Sequence, residues 1–376
     1  MAEEQDFIEA LAQYELAGRN YEEAARRTGI AVSTLKHRVK TAIRKNLRGA
    51  AFGGETPEGY QLGKITQLYK SDDGKVMEWR HLMPEALHEQ SIAALEEWAR
   101  ASISPLPVVP EPNIDSLFEL TVYPIPDVHL GQYSWGKETG NSYDLDIAVK
   151  TVKDTFAKLV QKAPASANAI VLGLGDFFHA DGNDARTPKS QNALDVDSRY
   201  GKVQWMGAEL MIQTVDLALK KHKHVTVKVL PGNHDPRGGD ALTIALWFRY
   251  LDNPRVTVDR GPALHWFYQW GEVMLAAHHG HETKPEQMPG VMSAYEPKMW
   301  GETQYRYALL GHWHKRAKGF ASNESNGAVW EIFQAITAKD AWNRGKGHAS
   351  GRSITAITYD QKDGEVTRTL VPISPK

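Results

Sequence analysis

Residues 225–235, VTVKVLPGNHD, show most clearly the pattern from which the fold of this chain can be predicted. The segment begins as a largely apolar, β-branched run of the length of a buried strand, and a Pro-Gly pair then ends that run in a turn. Asn233, His234 and Asp235 follow at once, so an amide, an imidazole and a carboxylate lie directly beyond the strand. Polar side chains in this position are typical of binding sites in α/β proteins.

Four other segments repeat this pattern of an apolar strand followed by a polar loop. They are FELTVYPIPDVH (118–129), NAIVLGLGD (168–176), EVMLAAHHGH (272–281) and YALLGHWH (307–314). Helical periodicity lies between several of them, for example over residues 146–161 and 203–220. The alternation predicts an α/β domain that presents the five loops at strand ends.

The polar residues at the five strand ends are all of types that bind metal ions. In chain order they are Asp127 and His129, Asp176, Asn233 with His234 and Asp235, His278 and His279, and His312 and His314. Carboxylates, amides and imidazoles without sulfur suit divalent manganese, iron, zinc or magnesium. A single such loop is more often an ordinary polar turn, but five of them at the ends of apolar strands predict one shared site.

The order D-x-H, G-D, G-N-H-D, H-H-G-H, G-H-x-H resembles the calcineurin-like metallophosphoesterase superfamily over roughly residues 119–320. The resemblance implies an α/β fold, a sandwich of two β-sheets flanked by helices. It also implies two divalent metal ions, with manganese favoured over iron, zinc or magnesium. The implied activity is the hydrolysis of phosphoric esters by a hydroxide that bridges the two metals.

The resemblance assigns a metal to each matching motif residue. Asp127, His129 and His314 would hold the first metal; Asn233, His312 and either His278 or His279 would hold the second; Asp176 would bridge both. His279 is favoured over His278 because the family's histidine is often followed by glycine, as His279 is by Gly280.

Four further residues are candidates for roles in catalysis, in substrate binding or in supporting the site. His234 is the candidate general acid, with Asp235 orienting it. Arg237 is the candidate for holding the substrate phosphate. His179, in GDFFHADG, either supports the site, contacts the substrate or is a solvated loop residue.

Residues 1–50 predict three short helices. Asn20 with Glu23 is an N-cap signal, and Gly29 predicts the turn before the last helix. The pattern resembles a helix-turn-helix. Residues 31–50 carry six basic residues and no acidic one, and four of them are expected to contact DNA phosphates: Lys36, Arg38, Lys40 and Arg44. The alternative is a small helical bundle that binds a protein.

The sequence predicts four parts. They are a helix-turn-helix domain (1–50), a connecting module with a β-hairpin and a helix (51–103), a proline-rich linker (104–116) and a metallophosphoesterase domain (117–376). Strand-like runs on either side of residues 71–74, SDDG, predict the hairpin. Four prolines within residues 104–112 predict the linker.

The composition of the 376 residues restricts the partners and the compartment. The formal charge is only −2, so DNA binding requires a local basic patch. No cysteine is present, which excludes disulfides, thiolate zinc sites and cysteine nucleophiles and fits a reducing interior. No targeting signal or apolar span is seen, and the expectation is a cytoplasmic protein without a membrane partner.

Together these patterns predict a phosphodiesterase, with DNA as the favoured substrate, similar to phage-encoded phosphoesterases. The alternatives are a phosphomonoesterase or small-molecule phosphodiesterase, and a DNA-binding adaptor with a degenerate catalytic domain. The oligomeric state is left open, a homodimer included.

Overall fold

The computed structural model describes residues 2–44, 60–69, 76–84, 109–114, 116–314, 322–347 and 350–374. The chain divides into two compact units, Met1–Ser104 and Pro105–Lys376. The helix of the predicted connecting module, expected over residues 84–100, lies outside the described residues. Only residue 84 is described, and it belongs to a strand. In the described part of the chain, no helix combines the length and the apolar character that a membrane crossing requires.

The described residues of the first unit include three helices: α1 (Ala2–Leu16), α2 (Tyr21–Thr28) and α3 (Val32–Arg44). The Asn20 side chain caps α2 by accepting the backbone N–H groups of Glu22 and Glu23. Gly29 ends α2 in the left-handed conformation, with φ 68°. Apolar residues of all three helices, among them Leu35 and Val39, form one buried cluster.

Two strands of the first unit, β1 (Tyr60–Tyr69) and β2 (Val76–Pro84), pair antiparallel. The turn predicted between them, at residues 71–74, lies outside the described residues.

The second unit is built on two mixed sheets. Its strands are β3 (Glu119–Ile125), β4 (Asn168–Gly173), β5 (His224–Val229), β6 (Val256–Asp259), β7 (Trp266–Trp270), β8 (Val273–His278), β9 (Tyr305–Leu310), β10 (Ser322–Ser325), β11 (Ala328–Ile332), β12 (Ser353–Asp360) and β13 (Gly364–Pro372). One sheet has the order β13-β12-β3-β4-β5-β6, and the other has the order β10-β11-β9-β8-β7. Strands β3 to β6 run parallel in the first sheet, as do β8, β9 and β11 in the second.

Helices connect and cover these strands. They are α4 (Gly136–Thr139), α5 (Leu145–Lys162), α6 (Tyr200–Leu219), α7 (Pro236–Tyr250), α8 (Met288–Tyr295), α9 (Pro297–Glu302) and α10 (Ala341–Gly345), with a 3₁₀ turn at Pro285–Gln287. Helices α5 and α6 occupy the segments for which the sequence predicted helices, 146–161 and 203–220.

Successive side chains along a strand point to opposite faces of its sheet, so alternate residues pack in the layer between the two sheets or against the helices. In β4, Ile170 and Leu172 join a buried cluster with residues of the second sheet, whereas Val171 joins the cluster formed with α5, α6 and α7. In β8, Leu275 points into the layer between the sheets and Met274 packs with α8. The predicted sandwich of two β-sheets flanked by helices is therefore confirmed.

Part of the predicted linker is attached to the second unit. The carbonyl oxygen of Val109 accepts a hydrogen bond from Arg255, and Ile114 is buried. The carbonyl oxygen of Ser116 accepts the backbone N–H of Ala167, just before β4. This part of the linker is therefore fixed to the second unit.

Candidate metal centre

Five loops meet where strands of both sheets end. Asp127 and His129 follow β3, Asp176 follows β4, and Asn233 follows β5. His279 follows β8, and His312 and His314 follow β9. Parallel pairing brings the carboxyl ends of β3, β4 and β5 together in one sheet and those of β8 and β9 in the other, and the contact of Asp176 with His279 joins the two sets of loops.

Asp127, His129 and His314 form a first group of potential ligands, with one donor atom of each lying within 4.8 Å of the others. Nε2 of His314 lies 3.0 Å from Oδ1 of Asp127 and 3.3 Å from Nε2 of His129. Two nitrogen or oxygen ligands on one ion, each at about 2.1 Å, lie roughly 3 Å apart. The spacing of this group fits a shared cation.

Asp176, His279 and His312 form a second group with the same mutual spacing. Oδ2 of Asp176 lies 3.1 Å from Nε2 of His279 and 3.7 Å from Nε2 of His129, a member of the first group. Oδ1 of Asn233 lies 3.3 Å from the same His279 nitrogen. Asp176 is thus close to both groups, as a bridging carboxylate must be.

The adjacent histidines 278 and 279 have different surroundings. Nδ1 of His279 lies 2.7 Å from the carbonyl oxygen of Leu174, which leaves Nε2 toward Asp176. His278 instead accepts the backbone N–H of Gly280 and stacks on His265 with ring centres 4.5 Å apart. Of the two alternatives that the sequence left open, His279 is the one in the second group.

The backbone is strained at this cluster. Among the described residues, nine non-glycine residues have positive φ, and five of them are predicted ligands: Asp127, His129, Asp176, His312 and His314. A residue in the left-handed region costs of order 1–3 kcal/mol and persists only where its surroundings enforce it. Strain concentrated in this way is typical of a functional site.

Glycines in the motifs let the loops approach one another. A Cβ atom on Gly232 would overlap the carboxylate of Asp176, and one on Gly175 would lie 2.6 Å from Nδ1 of His279. This close approach explains why the Gly-Asp and Gly-Asn-His-Asp motifs begin with glycine.

Burial and mutual charge shift the titration of this cluster. Burial lowers the pKa of His279, but the negative charges of Asp176 and Asp127 and the hydrogen bonds of His279 to Asp176 and Leu174 together outweigh it and raise that pKa to about 9. Burial likewise raises the pKa of Asp176, yet the positive His279 holds it well below its usual range. Without a cation, the two residues therefore form an ion pair, and His279 would have to lose its proton to hold a metal ion.

His179 is buried against the cluster. Its Nδ1 lies 3.1 Å from Nδ1 of His129, and its carbonyl oxygen lies 2.7 Å from Nδ1 of His234. His179 therefore supports two predicted site residues, whereas the sequence had left open a supporting role, a substrate contact and a solvated loop position.

Asp235 does not contact the His234 ring in the way the sequence suggested. Its buried carboxylate accepts the backbone N–H groups of Asp176, Phe178 and Gly232. The orienting partner of His234 is instead the carbonyl of His179. A carbonyl partner leaves no side-chain signature, so the sequence could not reveal this contact.

The remaining predicted residues lie on helices. Arg237 is exposed in the first turn of α7, where its backbone N–H bonds to Asp181. On α3, Lys36 and Lys40 are exposed, and Arg38 forms an ion pair of 2.9 Å with Asp6 of α1. The side chain of Arg44 lies outside the described part of the chain.

Comparison with known proteins gives structural matches only. No family model matches the sequence, and no curated protein matches it. A conserved protein of Streptococcus pneumoniae TIGR4, described as a predicted phosphoesterase, shares 12% identity at a TM-score of 0.28, over 68% of this chain and 99% of that chain.

Two other solved structures match a similar share of the chain. A dimetal phosphatase of Danio rerio has 11% identity and a TM-score of 0.36, over 69% of this chain and 100% of its own. A structure of PhoD has 8% identity and a TM-score of 0.30, over 70% and 73%. All three TM-scores are low.

Proposed function

We propose that this chain is a dinuclear metal-dependent phosphoesterase that hydrolyses phosphodiester bonds, with DNA as its favoured substrate. The observation that carries the proposal is the pair of three-residue ligand groups joined by the carboxylate of Asp176. Clusters of buried carboxylates and imidazoles are costly to build unless a cation holds them.

The donor atoms suit two hard or borderline divalent cations. Asp127, His129 and His314 would hold one, and Asn233, His279 and His312 the other, with Asp176 shared. Manganese is our preferred metal, since oxygen and imidazole ligands without sulfur suit it. When bound, two such cations supply Lewis-acid polarisation of a phosphoryl group and an acidified water.

His234 is proposed to give a proton to the leaving oxygen. Its ring centre lies 4.7 Å from that of His129, at the edge of the first group. The contact between its Nδ1 and the His179 carbonyl fixes the ring and the tautomer, which leaves Nε2 to exchange a proton. An alkoxide leaving group needs this proton much more than a nitrophenolate does.

Asp235 is proposed to position the bridging residue. By accepting the backbone N–H groups of Asp176 and Phe178, its carboxylate holds the loop after β4 against the loop after β5. Asp176 and Asn233 are thereby kept at a fixed separation.

The helices of the first unit are proposed to bind DNA. Lys36 and Lys40 are exposed on α3, and exposed cations on one helix favour contact with the phosphate backbone. Arg38 contributes less in this proposal, because Asp6 already neutralises it. The competing role, a contact surface for a protein, would not need these lysines.

An activity screen with manganese tests the enzyme. The substrates are bis-p-nitrophenyl phosphate, p-nitrophenyl phosphate, and single- and double-stranded DNA. We expect hydrolysis of the diester and of DNA. Hydrolysis of the monoester alone would replace the proposal with a phosphomonoesterase, and metal binding without any hydrolysis would favour the DNA-binding adaptor.

A charge-neutralised variant of the full chain tests the DNA contact. Lys36→Gln with Lys40→Gln should weaken DNA binding by about tenfold and flatten its dependence on salt, because fewer counterions are released. The matched control is Lys153→Gln with Lys158→Gln, two exposed lysines of α5. Equal DNA affinity of the two double variants would remove α3 from the proposal.

A further inference from the structure

A cavity of about 880 Å³ opens beside the candidate metal centre. Two of the residues that line it, Leu130 and Ala180, directly follow His129 and His179 in the chain. Its far side is formed by the start of α6 and the residues just before it. The cavity is larger than a phosphate group requires and lies in the size range of sites for small organic ligands.

The lining of the cavity carries free positive charge. Arg199 and Lys202 both line it, both are exposed, and neither side chain has a charged or hydrogen-bonding partner among the described residues. Asp197 also lines it, but its carboxylate already accepts the backbone N–H of Leu145 and the hydroxyl of Ser198. The lining therefore carries two unpaired cations against one carboxylate, a net positive charge that favours an anionic ligand.

Exposed aromatic rings lie next to the same cavity. Trp205 is 71% exposed and lies one turn beyond Lys202 on α6, so the two side chains share a face of the helix. Tyr133 is 46% exposed and lies two residues beyond Gly131, which lines the cavity. The backbone N–H of Tyr133 bonds to the carbonyl of Asp195, next to the lining residue Val196.

We propose that this cavity binds a nucleoside of a single-stranded nucleic acid whose scissile phosphate lies at the metal centre. This inference rests on the proposed function and names its substrate class. Unpaired cations that follow a phosphate backbone, together with exposed rings on which bases stack, form the usual surface for single strands. The cations alone would also suit an inorganic phosphate or a phosphorylated protein side chain, but the exposed rings add binding only for a ligand that carries a base.

The test compares substrates with and without a nucleoside in the presence of manganese. They are bis-p-nitrophenyl phosphate, the p-nitrophenyl ester of thymidine 5′-monophosphate, and a single-stranded oligothymidylate. The variant is Lys202→Ala combined with Trp205→Ala. Its control is Lys153→Ala combined with Phe118→Ala, an exposed lysine of α5 and a 64% exposed ring just before the amino end of β3.

The measured quantity is the ratio of kcat/KM for the thymidine ester to kcat/KM for bis-p-nitrophenyl phosphate. We expect the double variant to lower this ratio by about tenfold, because the loss of one base-stacking contact has an effect of that size. The oligothymidylate should show a loss at least as large, and the control no change in either ratio. Matching thermal unfolding midpoints will show that the variants are folded.

The two proposals fail in different ways. If the native chain hydrolyses bis-p-nitrophenyl phosphate and the double variant keeps the native ratio for the thymidine ester, the nucleoside site is wrong and the phosphodiesterase stands. If the native chain hydrolyses no diester at all, the proposed function is wrong and this inference falls with it.

Discussion

The two ends of the six-stranded sheet both bury histidine, but they do so in opposite ways. At the amino end, just before β5, His222 is fully buried. Its Nε2 lies 2.7 Å from the hydroxyl of Tyr123, and its Nδ1 lies 2.8 Å from the carbonyl oxygen of Ser166. Each ring nitrogen therefore has a complementary partner, as buried polar groups normally do.

At the carboxyl end, ring nitrogens face one another. Nδ1 of His129 lies 3.1 Å from Nδ1 of His179, and Nε2 of His129 lies 3.3 Å from Nε2 of His314. The backbone of both His129 and His314 is left-handed, whereas His222 shows no such strain. A buried histidine is therefore not in itself a sign of function. The histidines at the carboxyl end differ from His222 in their strained backbone and in the carboxylates beside them, a combination that a bound cation would stabilise.

The largest expected effect is on Asp176, where the two ligand groups meet. Asp176→Asn should lower the hydrolysis of bis-p-nitrophenyl phosphate by more than about a thousandfold, because one shared carboxylate serves both metals. Metal analysis should find fewer than two ions per chain. The control is Asp363→Asn, an exposed carboxylate in the turn between β12 and β13. Two ions retained by Asp176→Asn would contradict the bridging role.

The adjacent histidines 278 and 279 provide the next contrast. His279→Gln should weaken the binding of manganese by at least about 100-fold, since even residues that only support a metal ligand contribute 10- to 100-fold. His278→Gln should change it little, because His278 bonds to the backbone of Gly280 and stacks on His265. Calorimetric titration with manganese measures both. A larger loss in His278→Gln would reverse the assignment.

His234 is expected to affect catalysis rather than metal binding. His234→Ala should slow the hydrolysis of a thymidine dinucleotide by about 100-fold, and that of bis-p-nitrophenyl phosphate by much less, because only the alkoxide needs a proton. His224→Ala, an exposed histidine at the amino end of β5, is the control. Equal losses on both substrates would mean that His234 positions phosphate instead.

The smallest effect is at the amino end and concerns stability. Burial lowers the pKa of His222 to about 4, below the value near 6.5 that an unfolded chain has. The unfolded chain therefore takes up the proton first as the pH falls. The stability present above pH 6.5 is lost toward pH 4, by up to about 3 kcal/mol.

Denaturant unfolding at pH 7 and pH 4.5 measures this loss, and His222→Gln should reduce it while activity at pH 7 persists. A variant as sensitive to acid as the native chain would show that other groups cause the loss. Such a result would also contradict the purely structural role of the histidine at the amino end of the sheet.

The five strand-and-loop segments, and the residue types at their ends, could be predicted from the sequence. Apolar, β-branched runs that stop at glycine or proline predict buried strands from local chemistry alone, and β3, β4, β5, β8 and β9 end where these runs end. The N-cap at Asn20 and the left-handed Gly29 were predictable for the same reason, since both depend on neighbours within one turn of helix.

The contacts between these segments are visible only in the tertiary structure. The separation of His279 from His278 depends on the carbonyl of Leu174, and the anchoring of His234 depends on that of His179, both far away in the chain. The ion pair of Arg38 with Asp6 joins two helices in the same way. Backbone carbonyls are present in every residue, so a sequence carries no mark of which one a side chain will contact. The packing of strands, sheets and helices brings these groups into reach and selects among them.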